Sequence, residues 1–202
     1  ESSFYSKKEQ ASLFNQIELG EISNKVFLLR LQKMAPSATI KQIKNAWNAM
    51  LLDLPEKRVS LLKKLNCNYS IFLLSNTNAI HISEFRKKLG DIQYNEFYNL
   101  FKKVYYSYKI GFRKPQTKAF KLILDENKLP AHEVLFIDDS PQHIEGAEKL
   151  GMPKLIKEFY GSKLNCPHLV FANPDTITNR LTSFHAIDGL TSELRNVIFD
   201  EI

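Results

Sequence analysis

The stretch Val134-Leu-Phe-Ile-Asp-Asp-Ser140, followed by Pro-Gln-His-Ile-Glu-Gly-Ala-Glu-Lys-Leu-Gly151, decides how this chain can fold. Four apolar residues run unbroken into two carboxylates, Asp138 and Asp139. Such a run is typical of a buried strand in a parallel sheet. Ser140 suits the cap of a helix, the proline after it suits the first turn, and the final glycine suits the end. The stretch therefore predicts a strand that ends in two acids and leads directly into a helix.

An acid pair at the end of a strand has three possible uses. Ligands of open α/β sheets bind just beyond the carboxyl ends of the strands. Two acids there could hold a hard metal ion, meet a cationic partner or cap the helix that follows. Mg²⁺ in particular favours a few carboxylates together with water and substrate phosphate.

Length and composition are those of an ordinary globular protein. The chain has 202 residues, of which 44% are hydrophobic and 25% charged; this is enough for one core with a small accessory domain. No stretch approaches the roughly 20 apolar residues of a membrane span, and no signal peptide is visible. Cys67 and Cys166 are isolated, which predicts free thiols in a reducing compartment. We therefore expect a cytoplasmic protein that does not bind a membrane.

The formal charge of +6 would suit an anionic partner. The lysines, however, are spread along the chain and paired with acids, as on solvated helix faces. A nucleic-acid partner is therefore not expected, whereas a small anionic substrate is compatible with this charge.

Two parts of the chain differ in their periodicity. Residues 1–54 carry apolar side chains at helical spacing and no obvious strand, which predicts a small helical unit. From residue 55 onward short apolar runs alternate with helical stretches, and this order predicts a parallel sheet with helices on both faces. The predicted strands are 69–74, 103–107, 134–137, 154–156 and 169–171.

Polar groups fall at three strand ends or loops of this predicted sheet: Ser75-Asn76, Lys114 and Asp138-Asp139. A hydroxyl and nearby backbone N–H groups can bind phosphate oxygens. A lysine can offset the charge of a phosphoryl group and of an attacking carboxylate, and the acids can hold Mg²⁺. Each residue alone has an ordinary structural role, but the set together suits a phosphate ester.

Four stretches resemble motifs of the haloacid dehalogenase superfamily. Leu73-Leu-Ser-Asn-Thr-Asn78 resembles its second motif, Gly111-Phe-Arg-Lys-Pro115 its third, and Phe136-Ile-Asp-Asp-Ser140 with the helix after it its fourth. Glu18-Leu-Gly-Glu-Ile-Ser23 is similar to the helical cap of its small sugar-phosphatase-like members. The resemblance runs from about residue 13 to 156 and covers most of the chain.

The resemblance implies a Rossmann-like, three-layer α/β core at 55–202 with a small helical cap at 1–54. It also implies Mg²⁺-dependent hydrolysis of a small phosphorylated metabolite through a phosphoaspartyl intermediate. In this chain Ser75 and Asn76 would bind the phosphoryl group, Lys114 would bind it and stabilise the intermediate, and Asp138 and Asp139 would hold Mg²⁺. The cap could also form a homodimer contact.

One motif of the superfamily is missing from its usual place. The first motif, a strand ending in the nucleophilic Asp, should precede the cap, and residues 1–12 contain neither an apolar strand nor an Asp. We therefore expect a strand and a loop ahead of Glu1. At the other end of the chain, Arg195-Asn-Val-Ile-Phe-Asp200 has the pattern of that motif.

Three interpretations of this C-terminal stretch stay open. Residues 190–202 could form an amphipathic tail helix. The chain could be circularly permuted, so that Asp200 is the nucleophile and a third Mg²⁺ ligand. Last, the chain could lack a nucleophile, and its function would then be non-catalytic phosphate binding or regulation.

Overall fold

The computed structural model describes residues 7–138, 140–153 and 168–171. Helices and parallel strands alternate over most of this range, as the sequence predicted. In chain order the elements are α1 Lys7–Glu18, α2 Asn24–Met34, α3 Ile40–Asn48, α4 Glu56–Asn68, β1 Ser70–Ser75, α5 Ala79–Tyr98, β2 Lys103–Tyr106, α6 Ser107–Ile110, α7 Thr117–Asn127, a 3₁₀ turn Ala131–Glu133, β3 Val134–Ile137, α8 Pro141–Glu148 and β4 His168–Phe171.

The first three helices pack around a small core of their own. Ser23 and Thr39 cap α2 and α3 by accepting hydrogen bonds from backbone N–H groups of the first turns. The apolar faces of the three helices meet in one cluster, and Ile80 of α5 also packs there. The other buried members are Leu13, Ile17, Phe27, Leu28 and Ile43. Residues 7–48 thus form three helices, and their core includes one residue from the first turn of α5. The division at residue 54 stays a prediction.

The four described strands form one parallel sheet in the order β2-β1-β4-β3. Alternate strand residues face opposite layers, because side chains along a strand alternate in direction. Leu73 of β1 packs with α4 and α5 on one face, whereas Phe72 and Leu74 pack with α7 and α8 on the other. This three-layer α/β arrangement confirms the predicted fold class.

Strand β4 lies in the middle of the sheet, between β1 and β3. Its last residue, Phe171, is paired in register with Leu73 on one side and with Ile137 on the other. The sequence predicted this strand but not its position. The strand predicted at 154–156 and the stretch 195–200 lie outside the described residues.

One local prediction needs correction. Ser140 is the residue before α8, but its side chain makes no capping hydrogen bond. Its backbone N–H donates instead to Asp138, so the turn is held by the carboxylate two residues earlier. Helix α5 is interrupted at Gly90, whose φ is +75°.

Candidate functional site

The site is built at the carboxyl ends of β1 and β3, beginning with the loop after β1. Ser75 is the last residue of β1 and is buried. The Thr77 N–H donates to the hydroxyl of the fully buried Ser107 (2.9 Å), which donates in turn to the Thr77 carbonyl (3.0 Å). Asn78 caps α5 by accepting from the N–H of His81. The loop that begins at Ser75 is therefore held at both its middle and its end.

Asn76 connects this loop to Lys114. Its side-chain carbonyl accepts from the Lys114 N–H (2.9 Å), and its amide donates to the Lys114 carbonyl (3.0 Å). One side chain therefore satisfies both backbone groups of the lysine, in the way a neighbouring strand would. This contact fixes the point from which the lysine side chain leaves the backbone.

The Lys114 side chain is buried and directed at Asp138. Its Nζ lies 3.0 Å from Oδ2 of Asp138, and the two side chains are only 3% and 2% exposed. Nζ also lies 5.6 Å from the centre of the Phe136 ring. Strands β1 and β3 are two sheet positions apart, about 10 Å. Asn76 and Lys114 together bridge this distance.

Asp138 receives hydrogen bonds on both carboxylate oxygens. The Ser140 N–H donates to Oδ1 (2.8 Å), and His143 Nδ1 lies 2.8 Å from Oδ2, beside the lysine. Burial alone would raise the pKa of Asp138, but the contact with His143, the charge of Lys114 and the N–H of Ser140 outweigh it and lower the pKa to about 2. The carboxyl group is therefore ionised at neutral pH.

The sequence pattern indicated no role for His143 or Ser107. His143 lies in the first turn of α8, five residues after Asp138. A strand ends and a helix begins between these two residues, so neither the helical nor the strand periodicity relates His143 to Asp138. A histidine in the first turn after an acid pair is the one signal that could have suggested it. Ser107 carried no signal, because its contact with Thr77 joins loops 30 residues apart.

Asp138 fits a magnesium site by its chemistry. It is an ionised carboxylate at a strand end, the ligand type that Mg²⁺ prefers, and each of its oxygens can accept more than one contact. Asp139 and Asp200, the other predicted metal ligands, lie outside the described residues. Within residues 7–138, 140–153 and 168–171, no group of three or more His, Cys, Asp or Glu side chains forms a ready metal cluster.

The end of α1 contacts the loop that carries Lys114. Arg113 Nη2 lies 2.8 Å from Oε2 of Glu18, and Arg113 also bonds to Asn15. Burial raises the pKa of Glu18, although the charges of Arg113, Lys114 and His143 oppose this shift. Glu18 therefore lies within electrostatic reach of the Lys114–Asp138 pair.

The family follows from a comparison with known proteins. Residues 2–156 match the family model of the haloacid dehalogenase-like hydrolases, which covers most of the chain and all three core motifs. The chain belongs to this family. The predicted superfamily is thereby confirmed.

Individual haloacid dehalogenase-like proteins are similar over most of their length. D-ribitol-5-phosphate phosphatase of Bacteroides thetaiotaomicron is 26% identical over 151 residues, which are 72% of this chain and 71% of that protein. A family enzyme of the same organism, crystallised with magnesium and inorganic phosphate after replacement of one aspartate by alanine, is 32% identical. It has a TM-score of 0.65 and is aligned over 78% of this chain and 83% of its own.

A hydrolase of the same family from Porphyromonas gingivalis, at 24% identity and a TM-score of 0.59, supports the fold. It covers 85% of this chain and 76% of its own. The magnesium complexes of the Bacteroides enzyme confirm Mg²⁺ as the metal expected for such a site. In the part of the chain that the structure describes, no helix is long and apolar enough to cross a membrane.

Proposed function

We propose that this chain is a Mg²⁺-dependent phosphatase that hydrolyses a small phosphorylated metabolite in the cytoplasm. The observation that carries the proposal is the buried Lys114–Asp138 pair, held at the carboxyl edge of a parallel sheet by Asn76. The magnesium and phosphate complex of the similar enzyme and the phosphatase from the same organism support it. Residues 1–54 would form the cap and 55–202 the core.

Each residue of the site has a role in this proposal. Ser75 and Asn76 lie where a hydroxyl and loop N–H groups can bind phosphoryl oxygens. Lys114 offsets negative charge on the phosphoryl group. Asp138 and Asp139 would hold Mg²⁺, which neutralises and orients the phosphate. His143 keeps Asp138 in place, as supporting groups do for metal ligands.

The reaction requires a carboxylate nucleophile, and Asp200 is the candidate from the sequence. A carboxylate oxygen would attack phosphorus, and the bond from phosphorus to the ester oxygen would break, with the electron pair leaving on that oxygen. The leaving oxygen takes a proton from water, and the oxygen of water then attacks the acyl phosphate to give inorganic phosphate and the free carboxylate.

A second candidate function is phosphate binding without hydrolysis. It is favoured by the position of β4, because His168–Phe171 fills the place between β1 and β3 that a permuted strand at 195–199 would need. The chain would then present Ser75, Lys114 and Asp138 to a phosphorylated ligand but carry no nucleophile at the central strand end.

Turnover assays separate these functions. We expect the purified chain to hydrolyse p-nitrophenyl phosphate with Mg²⁺ and to lose this activity with EDTA. Asp200→Asn should abolish turnover, whereas the neighbouring control Glu201→Gln should retain it. Turnover that survives Asp200→Asn excludes Asp200 as nucleophile. Absence of turnover, combined with Mg²⁺-dependent binding of inorganic phosphate that Lys114→Met abolishes, supports the binding function.

A further inference from the structure

A cavity lies beside Ser75, between the sheet and α5. It measures about 60 Å³, and its apolar lining includes Leu73 of β1, Tyr106 of β2, and Phe85 and Phe97 of α5. These four residues belong to the core cluster on this face of the sheet or pack against it. Protein interiors contain few spaces larger than a water molecule, so a cavity in this core requires an explanation.

The direction of Ser75 connects the cavity to the phosphate site. Leu73 and Ser75 both line the cavity, because alternate residues of one strand have their side chains on the same face of the sheet. The cavity therefore begins at the residue whose hydroxyl is proposed to bind the phosphoryl group. A ligand held at Ser75 would have this space directly beside it.

The outer wall of the cavity is formed by the segment between α3 and α4. Leu51 and Leu52 contribute to the lining, and Leu52 is 53% exposed, so this side of the cavity lies at the protein surface. Lys88 Nζ of α5 donates to the Leu51 carbonyl (2.8 Å), and His81 Nε2 lies 3.1 Å from the Trp47 carbonyl oxygen. The wall is therefore held in place by the same helix that lines the cavity.

The described residues that line the cavity carry no charge at neutral pH. Its polar members are the hydroxyl-bearing residues Ser75, Thr77 and Tyr106 and the imidazole of His81. Burial lowers the pKa of His81 and outweighs the opposing effect of the Trp47 carbonyl, so the imidazole is neutral. A charged group placed here would lose its hydration without gaining an ion-pair partner from this lining. The cavity therefore favours an uncharged, apolar group.

The size of the cavity limits this group further. A cavity of about 150 Å³ lined by apolar side chains accommodates benzene. The present cavity has less than half of this volume, so it is too small for a ring and has room for about two to four carbon atoms of a chain. Each methylene group that leaves water for such a space raises the affinity about fourfold.

We propose that this cavity, the Ser75 side pocket, binds a short alkyl chain of the phosphorylated ligand. The ligand class is accordingly a phosphate monoester whose phosphoryl group is followed by about two to four apolar carbon atoms. The inference rests on the proposed phosphoryl-binding role of Ser75 and deepens it, because it names the chemical group beside the phosphate.

The test measures kcat/KM with Mg²⁺ for methyl, ethyl, n-propyl, n-butyl and benzyl phosphate. We expect kcat/KM to rise about fourfold for each added methylene up to n-propyl phosphate, whereas benzyl phosphate should not exceed methyl phosphate. Ile82→Phe fills the side pocket and should reduce the ratio of n-propyl to methyl phosphate to less than about twofold. Ile92→Phe, at a position of the same helix that is 78% exposed, is the matched control and should keep the ratio of the unaltered chain.

A second variant covers the case in which Ile82→Phe does not fold. Phe85→Leu enlarges the side pocket, and the longest chain that still raises kcat/KM should then become longer. An unchanged length preference in either folded variant would overturn the side pocket, because the alkyl chain would then bind elsewhere.

Further outcomes separate this inference from the phosphatase function. Equal hydrolysis of all five esters by the unaltered chain would overturn the side pocket and leave the phosphatase intact. If none of the esters is hydrolysed, the phosphatase function fails, and calorimetry with Mg²⁺ decides on the side pocket. Tighter binding of n-propyl than of methyl phosphate that Ile82→Phe removes supports the side pocket, and equal or absent binding overturns it.

Discussion

The ammonium nitrogen of Lys114 lies 3.0 Å from the carboxylate of Asp138, and the two side chains are almost completely shielded from solvent. A buried ion pair is stable only when its remaining hydrogen-bonding groups are satisfied. His143 and the N–H of Ser140 provide this for Asp138, and Asn76 fixes the backbone of Lys114. The remaining hydrogen-bonding groups of the pair are therefore satisfied by the protein itself.

Lys114→Met tests the stabilising and catalytic contributions of this pair. The change leaves the buried Asp138 carboxylate without its ammonium partner, and we expect a loss of about 3 kcal/mol in the free energy of unfolding. If Lys114 has the proposed role, turnover should fall at least about 100-fold, because the charge that offsets the phosphoryl group is removed. Urea denaturation and a phosphatase assay measure the two effects. Lys118→Met, at an exposed position on α7, should change neither; a Lys114→Met protein as stable as the parent would contradict the first expectation.

The pH dependence of stability reports on Asp138. Its pKa is about 2 in the folded chain against an ordinary value of 3.8. Because the folded-state pKa is lowered, the contribution to stability is complete above pH about 4 and is lost as the pH falls toward 2; its size is on the order of 2 kcal/mol. Urea denaturation in EDTA between pH 2 and 6 should show this loss. Asp138→Asn should show a flatter profile, and identical profiles for the two proteins would refute the assignment.

Asn76→Ala removes both hydrogen bonds to the Lys114 backbone. The buried N–H and carbonyl of Lys114 lose their partner, which should cost about 1–3 kcal/mol of stability. If Lys114 acts in catalysis as proposed, kcat should also fall about tenfold or more, because small misplacements of a catalytic group are costly. The comparison protein is Asn99→Ala, at an exposed site after α5. An Asn76→Ala enzyme with normal kcat would show that Lys114 is positioned without this amide.

Gly146→Ala tests how closely α8 approaches the Lys114 loop. A Cβ at Gly146 would lie 2.5 Å from the carbonyl oxygen of Pro115, the residue after Lys114. Helix and loop must separate, so we expect a loss of about 1–3 kcal/mol in stability together with reduced turnover. Thermal unfolding provides the measurement. Gln142→Ala, at an exposed position of the same helix, should leave the stability almost unchanged. If both variants are equally stable, the loop can move away from Gly146 at little cost.

The sequence identified the ends of β1 and β3 because their signals are local. An apolar run followed by Ser75 or by Asp138 marks a strand and its end without knowledge of the partners. Asn76 was predicted to stand beside Ser75 in phosphate binding, which stays a prediction, but both ends of its side-chain amide are used by Lys114. That contact joins residues 38 positions apart and follows from no period in the sequence.

The order of strands was also beyond the sequence pattern. Strand β4 follows β3 in the chain yet pairs with both β1 and β3. The pairing of strands that are distant in the chain depends on which face of the sheet is buried. A strand of four residues, such as His168–Phe171, has too short a hydrophobic pattern to indicate which strands it pairs with. The same limitation applies to Glu18, whose contact with Arg113 spans most of the described chain.

The central position of β4 affects how the chain can fold while it is being synthesised. Within the described sheet, β1 and β3 are joined only through β4. The strand ends that carry Ser75 and Asp138 thus acquire their common neighbour only after residue 171 has been synthesised. Among the described strands, a nascent or truncated chain that stops before residue 168 would leave the edges of β1 and β3 that face β4 unpaired, and such edges recruit other chains. Shortened products of this gene should therefore be recovered as aggregates rather than as weak enzymes.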